Sequence, residues 1–120
     1  MNLGEIKEIL KAEVICGGDR LEEEVKYAGA SDLMSDVLAF GAPGILLLTG
    51  LTNAQSVRTA DIIEAKAIVY VRGKRPDKEG IELARQKGIP ILSTKFMMYK
   101  SCALLHSHGL PGVDEFKKQG

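Results

Sequence analysis

Tryptophan is absent from this chain of 120 residues, and aromatic side chains are limited to three Phe and three Tyr. Platforms that stack the bases of single-stranded nucleic acid are built from such rings, which argues against that class of partner. Net charge is missing too, because sixteen Lys and Arg balance sixteen Asp and Glu. No global field is left to hold a phosphate backbone or an anionic membrane. Neither nucleic acid nor a membrane is therefore expected as a partner. Long apolar runs are also lacking: the run at 45–48 is far below the roughly 18–20 residues of a membrane span. The opening residues Met1, Asn2, Leu3, Gly4 and Glu5 carry no signal-peptide core, so a cytoplasmic protein is expected. Cysteine is restricted to Cys16 and Cys102, which read as reduced thiols rather than a disulfide framework. A chain of this length builds one domain around a single core.

The informative stretch is 44–94. Three short apolar runs, Ile45-Leu46-Leu47-Leu48, Ala67-Ile68-Val69-Tyr70-Val71 and Ile89-Pro90-Ile91-Leu92, alternate there with two segments of helical periodicity. Such alternation predicts an α/β fold, a mostly parallel sheet flanked by helices. Thr52 and Gln55 have capping-box spacing and predict a helix over 53–64 with Val57, Ile62 and Ile63 inward. Pro76 suits a first helical position, Asp77 and Glu79 suit the positive end of that helix, and Gly88 ends it. Ile81, Leu83 and Ala84 are its expected core face.

Toward the N-terminus, Leu3, Ile6, Ile9 and Leu10 predict an amphipathic helix over 2–11. A strand over 12–16 and a weaker one over 25–30 follow. Ser31 is placed as N-cap of a helix to Phe40 with Leu33, Met34, Val37 and Leu38 as its apolar face, and Gly41 as its stop. A last helix is predicted over 95–106, before Gly109 and Pro111. Its stripe of Met97, Met98, Tyr99, Leu104 and Leu105 is too broad for one buried face, which points to a second subunit.

Each strand should end in a polar loop, and such loops at the carboxyl edge of a parallel sheet are where ligands usually sit. The candidate ligand residues are Thr49, Gly50, Thr52, Asn53, Arg72, Gly73, Lys74, Arg75, Ser93 and Thr94. Helix N-termini after Thr52, Arg75 and Thr94 would present unpaired N–H groups to an anion, with Arg72, Lys74 and Arg75 as a local positive cluster. The alternative is that the hydroxyls merely cap helices and the cations solvate a loop. No phosphate loop surrounds Gly73-Lys74, where Ile68 and Arg75 occupy the positions that require Gly and Ser or Thr, and no dinucleotide fingerprint is present. No cofactor and no catalytic residue is indicated, so a protein that is not an enzyme is expected. Cys102, His106 and His108 are weak metal candidates, since Cys102 and His106 share a helical face but are too few for a structural zinc site.

The order of elements, with Val14-Ile15-Cys16-Gly17, Ile45-Leu46-Leu47-Leu48-Thr49-Gly50 and Gly88-Ile89-Pro90-Ile91-Leu92-Ser93-Thr94, resembles the DRTGG domain family over roughly residues 2–112, leaving 113–120 as a polar tail. Related domains occur in regulated pyrophosphatases, precede phosphotransacetylase domains and resemble the N-terminal domain of HPr kinase/phosphorylase. The resemblance implies a dimerising regulatory or adaptor module. It also implies a homodimer, a small phosphate-bearing ligand such as an adenine nucleotide, and a hydrogenase-related protein partner in anaerobic systems. A pure scaffold without ligand is the alternative. Gly50-Leu51-Thr52 stands where the family has Gly-Asp-Arg, and Arg72-Gly73-Lys74 where it has Thr-Gly-Gly.

Overall fold

Strands covered on both faces need apolar side chains at every position, and Leu46, Leu47, Leu48, Ala67, Ile68 and Val69 are all fully or almost fully buried. The computed structural model describes residues 1–115. In chain order they form α1 (Leu3–Leu10), β1 (Glu13–Cys16), β2 (Ala28–Ala30), α2 (Met34–Phe40), β3 (Leu46–Thr49) and α3 (Ala54–Ile62). β4 (Ala67–Tyr70), α4 (Lys78–Lys87), β5 (Ile91–Ser93) and α5 (Met98–Ser107) complete the order. The single sheet has the order β1-β5-β4-β3-β2. β2 to β5 run parallel, and β1 lies antiparallel on the outside of β5. The expected α/β class with a mostly parallel sheet is borne out.

Period-two alternation sorts the sheet residues into two layers. Leu46, Leu48, Ala67, Val69 and Leu92 meet Leu3, Ile6 and Leu10 of α1 and Leu105 of α5. Ile45, Leu47, Ile68, Tyr70 and Ile91 meet Val37 of α2, Val57 and Ala60 of α3 and Ala84 of α4. In β1 the pairing skips from Val14 opposite Leu92 to Cys16 opposite Ile91, so the extra residue Ile15 makes a bulge and both Ile15 and Cys16 pack on the second layer.

Local chemistry moves several helix starts away from the positions expected above. Ser31 accepts from the Leu33 amide in a local turn, and α2 begins three residues later with Leu33 as its cap residue. No side-chain cap forms at α3, whose cap residue is Asn53 rather than Thr52. Asp77, not Pro76, opens α4, accepting from the Gly80 amide at 2.8 Å. α5 begins at Met98, three residues after Lys95. At α1 a capping box that the periodicity did not reveal joins Asn2 and Glu5 in both directions.

The buried faces are narrower than expected. Ile62 is 68% exposed, and Leu33 and Leu38 also face outward, leaving Val37 as the buried residue of α2. Ile81 and Leu83 are half-buried beside the fully buried Ala84. Past α5 the chain wraps the β2 edge: the Ala28 amide donates to the Pro111 carbonyl, Leu110 is buried in the first layer and Val113 in the second. Val113 is thus part of the core although the sequence pattern put it in the tail, and residues 116–120 lie outside the described part.

Gly41 marks where α2 meets α3. A Cβ there would lie 2.5 Å from Ile63 Cγ2 and 2.8 Å from the Val37 carbonyl. Gly41→Ala is therefore expected to cost about 1–3 kcal/mol through overpacking, read as a lowered denaturation midpoint in urea.

Candidate functional site

The strand order fixes where a crevice can open. β2, β3, β4 and β5 lie in sequence, and α2, α3 and α4 between them all cover one face. After β5 the chain turns to the other face, where α5 packs with α1. The connections after β4 and β5 therefore diverge, which is the topological switch point at which ligands bind in open α/β sheets.

The two diverging loops are nevertheless laced together. Arg72 and Gly73 both have positive φ, 62° and 68°, and form a tight turn closed by the Lys74 amide on the Val71 carbonyl. Glycine accommodates this cheaply, while Arg72 does so under strain. The turn is held from across the split: the Arg72 amide donates to the Phe96 carbonyl and the Gly73 amide to the Thr94 carbonyl, each at 2.8 Å. Ser93 Oγ donates to the Lys74 carbonyl at 2.6 Å. Buried Thr94 sends its hydroxyl to the Leu10 carbonyl at 2.7 Å and accepts from the Phe96 amide.

These bonds consume the amides of Arg72, Gly73 and Lys74, and Asp77 already caps α4. The backbone donors expected to meet an anion at Arg72, Gly73 and Lys74 are therefore already engaged within the protein. Beside the laced loops lies a crevice of about 540 Å³ whose polar lining is Lys11, Glu13, Arg75, Ser93, Thr94 and Lys95, with Gly73, Leu10 and Phe96 completing the wall. Lys11 reaches it from the end of α1, where the chain turns through a left-handed residue with φ 49°. Arg75 Nη1 donates to both Glu13 oxygens, at 2.7 and 2.9 Å. The Lys100 ammonium sits 4.2 Å from the centre of the Phe96 ring.

The expected positive cluster is divided. Arg75 turns toward β1, whereas Arg72 turns toward β3, with Nη2 3.9 Å from Asp32 Oδ2. Asp32 accepts from the Gly50 amide at 2.6 Å and from Thr49 Oγ1 at 3.2 Å. A Cβ on Gly50 would lie 2.6 Å from the Arg72 guanidinium, so the side chain crosses directly above that glycine. An acid and a base thus meet at the end of β3 from two separate loops, although Gly50-Leu51-Thr52 offers neither. Thr52 and Asn53 stand apart from both groups: the Thr52 carbonyl accepts from the Asp77 amide, and the Asn53 carbonyl accepts from Ser56.

Of the ten residues expected to converge, Gly73, Arg75, Ser93 and Thr94 line the crevice, and Thr49, Gly50 and Arg72 form the neighbouring group around Asp32. Lys74 contributes its backbone to the lacing. Asp32, Lys11 and Glu13 escaped the sequence reading, and Lys95 belongs to the expected strand-end loop at 93–95 although it was not among the ten. Parallel pairing of Ala30 with Leu48 brings Asp32 level with Gly50, and antiparallel β1 brings Glu13 opposite Ser93. Neither register is visible in the sequence.

The metal candidates are engaged otherwise. His106 Nε2 lies 3.0 and 3.1 Å from the Glu115 oxygens, and His108 Nδ1 lies 2.7 Å from the Leu104 carbonyl oxygen. The His106 contact, then the Gly112 amide, hold the Glu115 carboxyl below its ordinary value. This clasp contributes above the usual carboxylate range and is lost as pH falls through the lowered value. Cys102 packs against the first layer and Cys16 against the second, on opposite faces of the sheet. Burial raises both thiols above their ordinary value, which disfavours the thiolate. Among the described residues no group of three or more His, Cys, Asp or Glu is placed to hold a metal ion.

Compared with known proteins, residues 5–108 match the model of the DRTGG domain family. Among solved structures, the CBS and DRTGG domains of the regulatory region of Clostridium perfringens pyrophosphatase, complexed with the activator diadenosine tetraphosphate, superpose with a TM-score of 0.71 at 19% identity. The match covers 87% of this chain and 45% of the other, so this chain corresponds to less than half of that one. No curated protein matches.

The lacing gives Thr94 a role independent of any ligand. Thr94→Val would strand the Leu10 carbonyl and the Phe96 amide, which is expected to cost about 1–3 kcal/mol of stability, read by thermal denaturation without ligand. Thr94→Ser should recover most of the loss.

Proposed function

We propose that this chain, which belongs to the DRTGG domain family, is a non-enzymatic regulatory module that binds a phosphate-bearing metabolite at its switch-point crevice. One observation carries this reading. In a chain with no net charge, Lys11, Arg75 and Lys95 converge on a single cavity that holds one carboxylate, Glu13. Guanidinium and ammonium groups form the strong charge-assisted bonds that phosphate takes. About 540 Å³ is also a suitable size for a small-molecule site. The groups lining it suit holding an anion rather than transforming it: no imidazole or thiol stands there, and the carboxylate is tied to Arg75. The Clostridium perfringens regulatory region, solved with diadenosine tetraphosphate, makes adenine nucleotides the ligand class to try first.

The module works as a homodimer in this reading. Of the apolar stripe on α5, Leu105 is buried and Met98 and Leu104 are half-buried against the chain's own core. Met97 and Tyr99, 66% and 88% exposed, are left to meet a second copy beside the crevice. A second reading, a protein–protein scaffold, is favoured by the outward Leu33, Leu38 and Ile62 of α2 and α3, with a hydrogenase-related partner suggested by the family resemblance alone.

Calorimetry with ATP, pyrophosphate and diadenosine tetraphosphate is expected to show binding at millimolar affinity or better, without turnover. Lys95→Ala should weaken it severalfold, and absence of binding by all three ligands would leave the scaffold reading in front. Light scattering should show a dimer that the double variant Met97→Lys, Tyr99→Lys converts to monomer. A wild-type monomer at high micromolar concentration contradicts the dimer.

A further inference from the structure

The crevice already contains an anion, the carboxylate of Glu13. It sits at the first position of β1, opposite Ser93 in the ladder, and occupies Arg75 Nη1 with both oxygens at 2.7 and 2.9 Å. Both side chains are more than half exposed, 62% for Glu13 and 53% for Arg75. An ion pair this open to water gains little over its hydrated, separated state, so a better anion can break it. A phosphate terminus carries up to two charges and three acceptor oxygens, and Lys11 and Lys95 stand on the same rim to share them.

We infer that Glu13 is a built-in competitor for the ligand site: it holds Arg75 in the free protein, and a phosphomonoester or pyrophosphate terminus binds by displacing it. This rests on the reading of the crevice as a phosphate site and adds what occupancy does to the fold. Arg75 belongs to the loop that leads into α4, and Glu13 to the edge strand against which α4 packs. The exchange therefore trades a strand-to-loop tether for a loop-to-ligand one. Ligand occupancy is thereby signalled to β1, the antiparallel edge of the sheet. The Asp32–Arg72 pair is a separate one that stays in place, because it lies over β3 and outside the crevice lining.

The test is calorimetric titration of pyrophosphate and AMP at low ionic strength into the wild type, Glu13→Ser, Arg75→Ala and the double variant. Serine is chosen because glutamine would still accept a bond from Arg75. Glu13→Ser is expected to tighten binding about threefold, and Arg75→Ala to weaken it about tenfold. The Glu13→Ser gain should vanish in the Arg75→Ala background, since a general charge effect would persist there. Wild-type binding that Glu13→Ser leaves unchanged or weakens overturns the competition while sparing the ligand site. A gain that survives without Arg75 overturns it likewise. Failure of both the wild type and Glu13→Ser to bind either probe overturns the competition and the ligand reading together.

Discussion

The hydrogen bonds that lace the loop after β4 to the loop after β5 are the constraint on which the rest of the molecule depends. At this one place in the parallel sheet successive connections leave toward opposite faces, and without lacing the split would expose unpaired backbone. Across it the Arg72 and Gly73 amides donate to the Phe96 and Thr94 carbonyls, and the Ser93 hydroxyl donates to the Lys74 carbonyl. Thr94 also ties the end of α1 to the sheet. That tie places Lys11, and through the following turn Glu13, beside Arg75. Fold and site therefore share the same few polar groups.

Under the proposed reading, the lacing also decides which groups could hold an anion. Many phosphate sites use free amides at helix N-termini. Here the nearest helix, α4, is capped by its own Asp77, and the turn amides before it are spent on the lacing. What remains for an anion is a set of long cationic side chains that can move. Such side chains lose more entropy on binding than fixed amides do, and can exchange partners, which suits a module that reports occupancy better than one that holds a ligand permanently.

The core strands were legible in the sequence because burial on both faces demands apolar residues at every position of 45–48, 67–71 and 89–92, a pattern that no surface element shares. Helix starts were less legible. Ser31, Thr52 and Pro76 all suit cap or first-turn positions, yet Ser31 serves a local turn and Asp77 opens α4, since capping chemistry is favourable at several neighbouring positions and tertiary packing selects among them. The site was half legible. Strand-end position singled out Gly73, Arg75, Ser93 and Thr94, but Glu13 and Asp32 join through strand pairing and Lys11 through the bond from Thr94 to the end of α1. The antiparallel placement of β1 beside β5 leaves no local mark on residues 13–16.

The central claim is that the cationic crevice beside the loops after β4 and β5 is the ligand site. The most direct measurement is a titration of isotopically labelled protein with pyrophosphate, followed amide by amide in NMR spectra. The account predicts saturable shifts concentrated at Lys11, Glu13, Gly73, Arg75, Thr94 and Lys95, with Gly50, Asn53 and the α2 residues unmoved. Saturable shifts centred on Gly50 and Asn53 instead, or none at millimolar ligand, would contradict it.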